Sequence, residues 1–110
     1  MMKVEILLDE EKIKKESEYT PESIYDAVRR NFKQFDLLEI PTNDKTIMFR
    51  DKGNNTDYGG LWKGIHILYN ADWCKPYLIK CMWYSDEEYE NGELYSENVL
   101  EILSKFKVNR

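Results

Sequence analysis

The plainest structural signal in the chain lies in residues 20–35, TPESIYDAVRRNFKQF. Thr20 suits the N-cap of a helix, Pro21 suits its first turn, and Glu22 suits the positive end of the helix dipole. Apolar residues then recur at helical spacing, and basic or amide residues take the opposite face. The apolar set is Ile24, Ala27, Val28, Phe32 and Phe35, and the polar set is Arg29, Arg30, Lys33 and Gln34. The stretch predicts an amphipathic helix from about Pro21 to Phe35.

Three stretches around this helix alternate apolar and polar residues, which is the period of a half-buried strand. They are residues 3–8 with Val4, Ile6 and Leu8 inward, residues 46–50 with Ile47 and Phe49 inward, and residues 77–84 with Ile79, Cys81 and Trp83 inward. We therefore expect at least three strands.

Two periods compete in residues 58–70. A strand would place Ile65, Ile67 and Tyr69 on one side, whereas a helix would collect a longer stripe of large apolar residues. That stripe is Leu61, Trp62, Ile65, Leu68 and Tyr69. We expect a helix, although each interior glycine costs it about 1 kcal/mol. A strand stays the alternative.

The end of the chain predicts a last helix that begins near Ser96, with Glu97 in its first turn and Lys105 and Lys107 at its negative end. Its inward residues would be Val99, Ile102, Leu103 and Phe106. Residues 9–18 are charged and fit either an exposed helical turn or a loop. Residues 1–110 together predict a single α+β domain of two layers, in which two or three helices pack on one face of a small three- or four-stranded sheet.

The distribution of charge bears on the class of partner. The 110 residues carry a net charge of −5, and 42% of them are hydrophobic, enough for a core. Residues 81–104 hold seven acids and no Lys or Arg. These acids are Asp86, Glu87, Glu88, Glu90, Glu93, Glu97 and Glu101. Because the chain has no overall attraction to phosphates, direct nucleic-acid binding is disfavoured.

Apolar runs are short throughout the sequence. None approaches the roughly 20 residues of a membrane helix. The N-terminal run of residues 6–8 is also too short for the apolar part of a signal peptide. We therefore expect a cytoplasmic protein with no membrane partner.

Two cysteines and one histidine limit the reactive chemistry. Cys74 and Cys81 do not form a secreted disulfide framework, and we expect both to be reduced and mostly buried. Together with His66 they leave a zinc site one ligand short. His66 has no partner nearby in sequence, so we expect a structural histidine. The sequence predicts no catalytic residue, no cofactor and no metal.

The loop of residues 51–60 is rich in glycine and oxygen-bearing side chains. It contains neither a dinucleotide-binding nor a P-loop pattern. Its oxygen-bearing residues, Asp51, Asn54, Asn55 and Asp57, lack EF-hand spacing. The loop therefore predicts neither a phosphate site nor a calcium site.

Aromatic residues are concentrated beside the acidic segment. Nine lie between residues 58 and 95, namely Tyr58, Trp62, Tyr69, Trp73, Tyr77, Trp83, Tyr84, Tyr89 and Tyr95. Tyr and Trp are enriched at protein interfaces, and carboxylates around them suit a partner with a basic patch. The candidate partner-binding residues are Trp73, Tyr84, Glu87, Glu88, Tyr89, Glu90, Glu93 and Tyr95. No residue pattern identifies an oligomeric state.

The N-terminal run KVEILLDEEKIKKE, residues 3–16, resembles the opening of small uncharacterised proteins encoded on conjugative transposons of Firmicutes. The resemblance extends to Ile24 and Tyr25, to the run Trp83-Tyr84-Ser85-Asp86 and to the helix after Ser96. Residues 53–76 depart from that pattern. The resemblance implies a bacterial, cytoplasmic accessory protein of a mobile element, and it carries over no activity and no site residue.

These observations lead to three hypotheses about function. The first is a non-enzymatic interaction protein that binds a protein partner through its aromatic and acidic C-terminal half. The second is an acidic DNA mimic or anti-restriction accessory, which requires carboxylates spaced along an exposed face and not gathered in one loop. The third is a small enzyme that uses His66, which requires a pocket with convergent polar groups.

Overall fold

The computed structural model describes residues 1–42, 44–88 and 94–106, and at residues 86–88, 94, 95 and 106 it describes the backbone alone. The elements in chain order are β1 (Met2–Leu8), α1 (Glu10–Glu16), α2 (Pro21–Lys33), β2 (Leu38–Ile40), β3 (Ile47–Arg50), α3 (Asp57–Tyr69), a 3-10 turn (Lys75–Tyr77), β4 (Leu78–Glu88), β5 (Leu94–Asn98) and α4 (Val99–Phe106). None of these described helices has the length and apolar character needed to cross a membrane.

The five strands form one sheet in the order β2-β3-β1-β4-β5, and every neighbouring pair is antiparallel. The predicted α+β class is therefore confirmed. The sheet has five described strands where three or four were expected, and there are four described α-helices where two or three were expected. The additional strands are β2, which is too short to show a period, and β5, whose sequence is mostly polar.

The two faces of the sheet differ because side chains alternate along a strand. The inner face packs against the helices and carries Val4, Ile6, Leu8, Ile47, Phe49, Cys81 and Trp83. The helices bury Ile13, Ile24, Val28, Phe32, Leu61, Ile65, Leu68, Val99 and Leu103 in the same core. The other side, which we call the open face, carries Lys3, Glu5, Met48, Arg50, Lys80, Met82 and Tyr84. Ile47 and Phe49 point inward as predicted.

Helix α2 follows the sequence prediction closely. Its N-cap Thr20 accepts a hydrogen bond from the Ser23 backbone N–H, and the Ser23 hydroxyl accepts one from the Thr20 N–H. Such a reciprocal cap satisfies two backbone donors that the first turn leaves free. The helix ends at Lys33, two residues before the predicted end.

Residues 57–69 form helix α3, which confirms the helix favoured over the strand. Glycine lowers the stability of an isolated helix, but in α3 it has a role in the packing against α2. A Cβ atom at Gly64 would lie 2.5 Å from Cε1 of Phe32. In addition, the buried Asn31 side chain donates a hydrogen bond to the Gly64 carbonyl at 2.9 Å. The absence of a side chain therefore allows the two helix backbones to approach closely.

One inward position predicted for β4 is wrong. Ile79 is 54% exposed, whereas Cys81 and Trp83 are buried. The pairing of β1 with β4 passes from Leu7↔Lys80 to Leu8↔Leu78 and leaves Ile79 as an extra residue on β4. Such a bulge interrupts the alternation of sides at that residue.

The predicted start of the last helix is also wrong. Residues 94–98 form strand β5, and α4 begins at Val99. The side chain of Asn98 accepts a hydrogen bond from the Leu100 N–H at 3.1 Å, as an N-cap does. The helix therefore starts after Asn98, and residues 94–98 before it pair with β4 as a strand. For residues 9–18 the sequence allowed either a helical turn or a loop. Residues 10–16 form helix α1, in which Ile13 is buried.

Candidate functional site

Strand β4 is longer than the strand beside it. Its pairing with β1 ends at Met2↔Ser85, whereas β4 continues to Glu88 and pairs there with Leu94 of β5. Residues 86–88 of β4 and Leu94 of β5 thus lie past the last pair between β1 and β4 and form a two-stranded segment, which we call the acidic ribbon. Asp86, Glu87 and Glu88 therefore lie on a strand. Tyr89, Glu90 and Glu93 lie outside the described residues.

An aromatic cluster lies between α3 and β4. The rings of Trp62 and Trp83 stack with their centroids 5.1 Å apart, and Tyr58 meets Trp83 edge-on at 5.7 Å. Trp83 is 4% exposed, whereas Tyr58 is 57% exposed. Glu97 of β5 is the cross-strand neighbour of Trp83 and is half-buried on the same side of the sheet. The cluster therefore has the exposed ring of Tyr58 on one side of Trp83 and the carboxylate-bearing Glu97 as the strand neighbour of Trp83.

The indole Nε1 of Trp62 is buried and has no hydrogen-bond partner among the described residues. A buried donor without an acceptor costs free energy. The unpaired indole N–H thus distinguishes Trp62 from an ordinary core residue among those that the structure describes.

Two of the aromatic residues predicted to bind a partner, Tyr84 and Trp73, have side chains that the structure describes. These two side chains lie on different sides of the sheet. Tyr84 is on the open face, where its hydroxyl donates a hydrogen bond to Oε1 of Glu5 at 2.9 Å and Lys3 Nζ lies 5.6 Å from the ring centroid. Trp73 is on the helical side and lines a groove with Tyr19 and Arg30. One flat partner surface therefore does not reach both residues. For Glu87 and Glu88 the structure gives backbone positions on the acidic ribbon, and for Tyr95 it gives a backbone position on β5 opposite Ser85.

His66 lies on the exposed side of α3. Its ring centroid is 6.1 Å from that of Trp62, and its side chain forms no hydrogen bond with a described residue. A general base needs a partner that orients it and a reacting group within reach. The part of the chain that the structure describes places no acid in that role beside His66, and it contains no group of three or more potential metal ligands.

Both thiols are buried and free, as predicted. Burial raises the pKa of Cys74 to about 12, and burial with the neighbouring Cys74 does the same for Cys81. Because the thiolate is the nucleophilic form, neither group is activated.

Two carboxylates of the 51–60 loop are occupied by backbone groups. Asp51 Oδ1 accepts a hydrogen bond from the Met2 N–H at 2.9 Å. The buried Asp57 accepts from the N–H groups of Lys52 and Asn54 at 2.7 and 2.9 Å. The Asn54 hydrogen bond is the main reason that the pKa of Asp57 lies below its usual value, because the bond favours the charged form. Both carboxylates therefore have a structural role in fixing the backbone of this loop.

A cleft of about 460 Å³, which no sequence pattern predicted, lies between α1, α2 and the β2–β3 hairpin. Oppositely charged side chains face each other across it: Arg29 Nε lies 3.0 Å from Glu39 Oε2, and Lys45 Nζ lies 3.8 Å from Glu10 Oε2. Since these residues are 10 and 35 positions apart in sequence, no local pattern points to the cleft. Its charges are mostly paired, so it offers no acid–base set comparable to an active site.

The chain matches no protein-family model and no curated protein. The functional assignment therefore rests on the geometry of the molecule.

Proposed function

We propose that this protein is a non-enzymatic interaction module that binds a basic patch of a protein partner through the acidic ribbon and the aromatic cluster beside it. The extension of β4 past the end of β1 carries the proposal. Past Ser85, β4 pairs with β5 and not with β1, which separates this acidic stretch from the central strand pair of the sheet.

The charges of this region support a basic partner. Three consecutive acids, Asp86, Glu87 and Glu88, lie on the extended part of β4, and Glu97 follows on β5 beside Trp83. Complementary charges raise association rates and select partners, while aromatic side chains supply contact area. Tyr58, at 57% exposed, is the described aromatic residue of the cluster most open to such contact.

The cellular setting is part of the same proposal. The resemblance of residues 3–16 to proteins of conjugative transposons supports a cytoplasmic accessory role in a bacterial mobile element. The position of the gene within such an element in the source genome tests this part.

Affinity capture from the source bacterium tests the interaction. The bait is the wild type, the ribbon variant Asp86→Asn/Glu87→Gln/Glu88→Gln, or the control variant Glu11→Gln/Glu16→Gln/Glu18→Gln. Both variants remove three negative charges, but the control changes exposed residues of α1 and the segment after it. We expect a partner that wild type and control retain, that the ribbon variant loses, and that 0.5 M salt releases. Equal retention by all three baits contradicts the proposal.

The DNA-mimic hypothesis stays a second candidate because of one observation. The described acids of residues 81–104 are distributed over three elements, with Asp86, Glu87 and Glu88 on β4, Glu97 on β5 and Glu101 on α4. Their distribution over three elements, and not in one loop, favours the hypothesis. Competition between the protein and a DNA duplex for a restriction enzyme of the host tests it. A mimic displaces the duplex, and the ribbon variant does so less well than the control variant.

A further inference from the structure

A groove of about 320 Å³ lies on the helical side of the molecule, between the start of α2 and the segment after α3. It is lined by Tyr19, Ser23, Ile24, Ala27, Arg30 and Trp73. Ile24 is 2% exposed and belongs to the core, whereas Tyr19 is 49% exposed. The groove thus has an apolar floor between two aromatic residues.

Short local contacts fix the backbone beside the two aromatic residues. The Tyr19 N–H donates to the Ser17 hydroxyl at 2.9 Å, and the next residue is the N-cap of α2. Trp73 precedes the fully buried Cys74, whose N–H donates to the Ala71 carbonyl at 3.1 Å. A groove whose backbone is already fixed costs less conformational entropy on binding.

The groove has two polar side chains, Ser23 and Arg30, and the charge of Arg30 is not paired with any acid that the structure describes. The Ser23 hydroxyl is used in the helix cap, where it donates to the Thr20 carbonyl at 2.8 Å. Arg29, the neighbour of Arg30, is paired with Asp26 and Glu39 at 3.1 and 3.0 Å. Arg30 itself is exposed and forms no ion pair with any residue that the structure describes. A free guanidinium at the rim of an apolar groove suits a carboxylate.

We propose that this groove is a docking site for a peptide of a partner protein that presents an apolar side chain next to a carboxylate. The groove combines Trp, Tyr and Arg, the three residue types most enriched at interface hot spots. Its charge is opposite to that of the acidic ribbon, and its residues belong to α2 and the adjoining segments and not to β4 or β5. The inference therefore holds or fails independently of the proposed function.

Titration of the labelled full chain with two capped tetrapeptides tests the inference by NMR. One peptide has two leucines flanked by aspartates, and the other has asparagines in place of the aspartates. We expect saturable shifts at the amides of Tyr19, Ala27, Arg30 and Trp73, with the acidic peptide bound at least about fivefold more tightly. Absence of saturation, or equal affinity for the two peptides, overturns the proposal.

Matched variants separate the role of charge from that of the aromatic walls. Arg30→Gln should bring the affinity ratio of the two peptides to about one, whereas Lys33→Gln, on the same helix but outside the groove, should preserve it. Tyr19→Ala, at an exposed position, should weaken both peptides about tenfold. If the same amides shift with protein concentration in the absence of peptide, the occupant is a second copy of the chain and the proposal is wrong.

Discussion

The Tyr84 hydroxyl donates a hydrogen bond to Oε1 of Glu5 at 2.9 Å, across neighbouring strands of the open face. Lys80 Nζ contacts the same oxygen at 3.1 Å, and the Glu5 side chain is only 11% exposed. A buried carboxylate is tolerated when donors surround it. Tyr84, which the sequence suggested as a partner contact, thus has a structural role on this face.

Removal of the Tyr84 hydroxyl should therefore destabilise the protein. We expect Tyr84→Phe to lower the free energy of unfolding by about 1–2 kcal/mol, because Glu5 loses one of two donors. Tyr19→Phe, which removes a hydroxyl at an exposed position, should change it by less than about 0.5 kcal/mol. Urea unfolding near pH 7 measures both changes, and equal values for the two variants would contradict the assigned role.

The same contact predicts how stability depends on alkaline pH. Burial, followed by the hydrogen bond and charge of Glu5, raises the pKa of Tyr84 to about 12 from its ordinary value near 10. Between these two values the unfolded chain loses the phenol proton while the folded chain keeps it. The contribution of Tyr84 to stability is thus complete below pH 10 and falls as the pH rises toward 12. Stability curves of the wild type should fall more steeply in this window than those of Tyr84→Phe.

The close approach of α2 and α3 predicts opposite effects for two glycine substitutions in α3. Gly64→Ala places a Cβ 2.5 Å from the ring of Phe32, which is fully buried and stacked on Phe49 at 5.1 Å. We expect it to destabilise the protein by about 1–3 kcal/mol through overpacking. Gly59→Ala meets no atom within 4 Å and should stabilise it by about 0.5–1 kcal/mol through helix propensity. Chemical denaturation compares the two, and a stabilising Gly64→Ala would show that the helices can move apart.

Asp57 predicts a loss of stability in acid. Its carboxylate accepts two backbone hydrogen bonds, and its pKa in the folded protein is lowered. Its contribution is therefore present above the unfolded pKa of about 3.9 and is lost as the pH falls below that value. Asp57→Asn should cost about 1–3 kcal/mol near pH 7 and should flatten the stability curve below about pH 4. Asp72→Asn, at an exposed residue, is the control for removal of one negative charge, and identical curves for Asp57→Asn and the wild type would contradict the assignment.

Parts of this fold were predictable because their signals are local. Helix α2 has its cap, its proline and its apolar stripe within one short stretch, and these features act together. For α3 the signal was the stripe of large apolar residues, which favoured a helix over a strand although the glycines counted against it. In a sequence, however, glycines in a helix mainly indicate a penalty, and the compensating contact with α2 depends on the tertiary structure.

The site was less predictable for reasons that are equally physical. Strand alternation did place Tyr84 on the face opposite Trp83, but its hydrogen bond to Glu5 depends on the pairing of β4 with β1. The bulge at Ile79 depends on pairing with β1, which no local pattern in β4 records. Trp73 lies in an irregular segment, and the side of the molecule that it faces follows from packing.

The two thiols report on the integrity of the core beneath these sites. Cys74 and Cys81 are buried, and burial raises the pKa of each to about 12. At pH 8 the native protein should therefore react with a thiol reagent only through opening of the structure, and both cysteines should be modified together at the rate of global unfolding. A cysteine introduced by Ser104→Cys at an exposed position of α4 should react at once and serves as the control. Rapid modification of Cys74 alone would instead reveal local opening of the segment that carries Trp73, and would contradict an ordered wall for the groove.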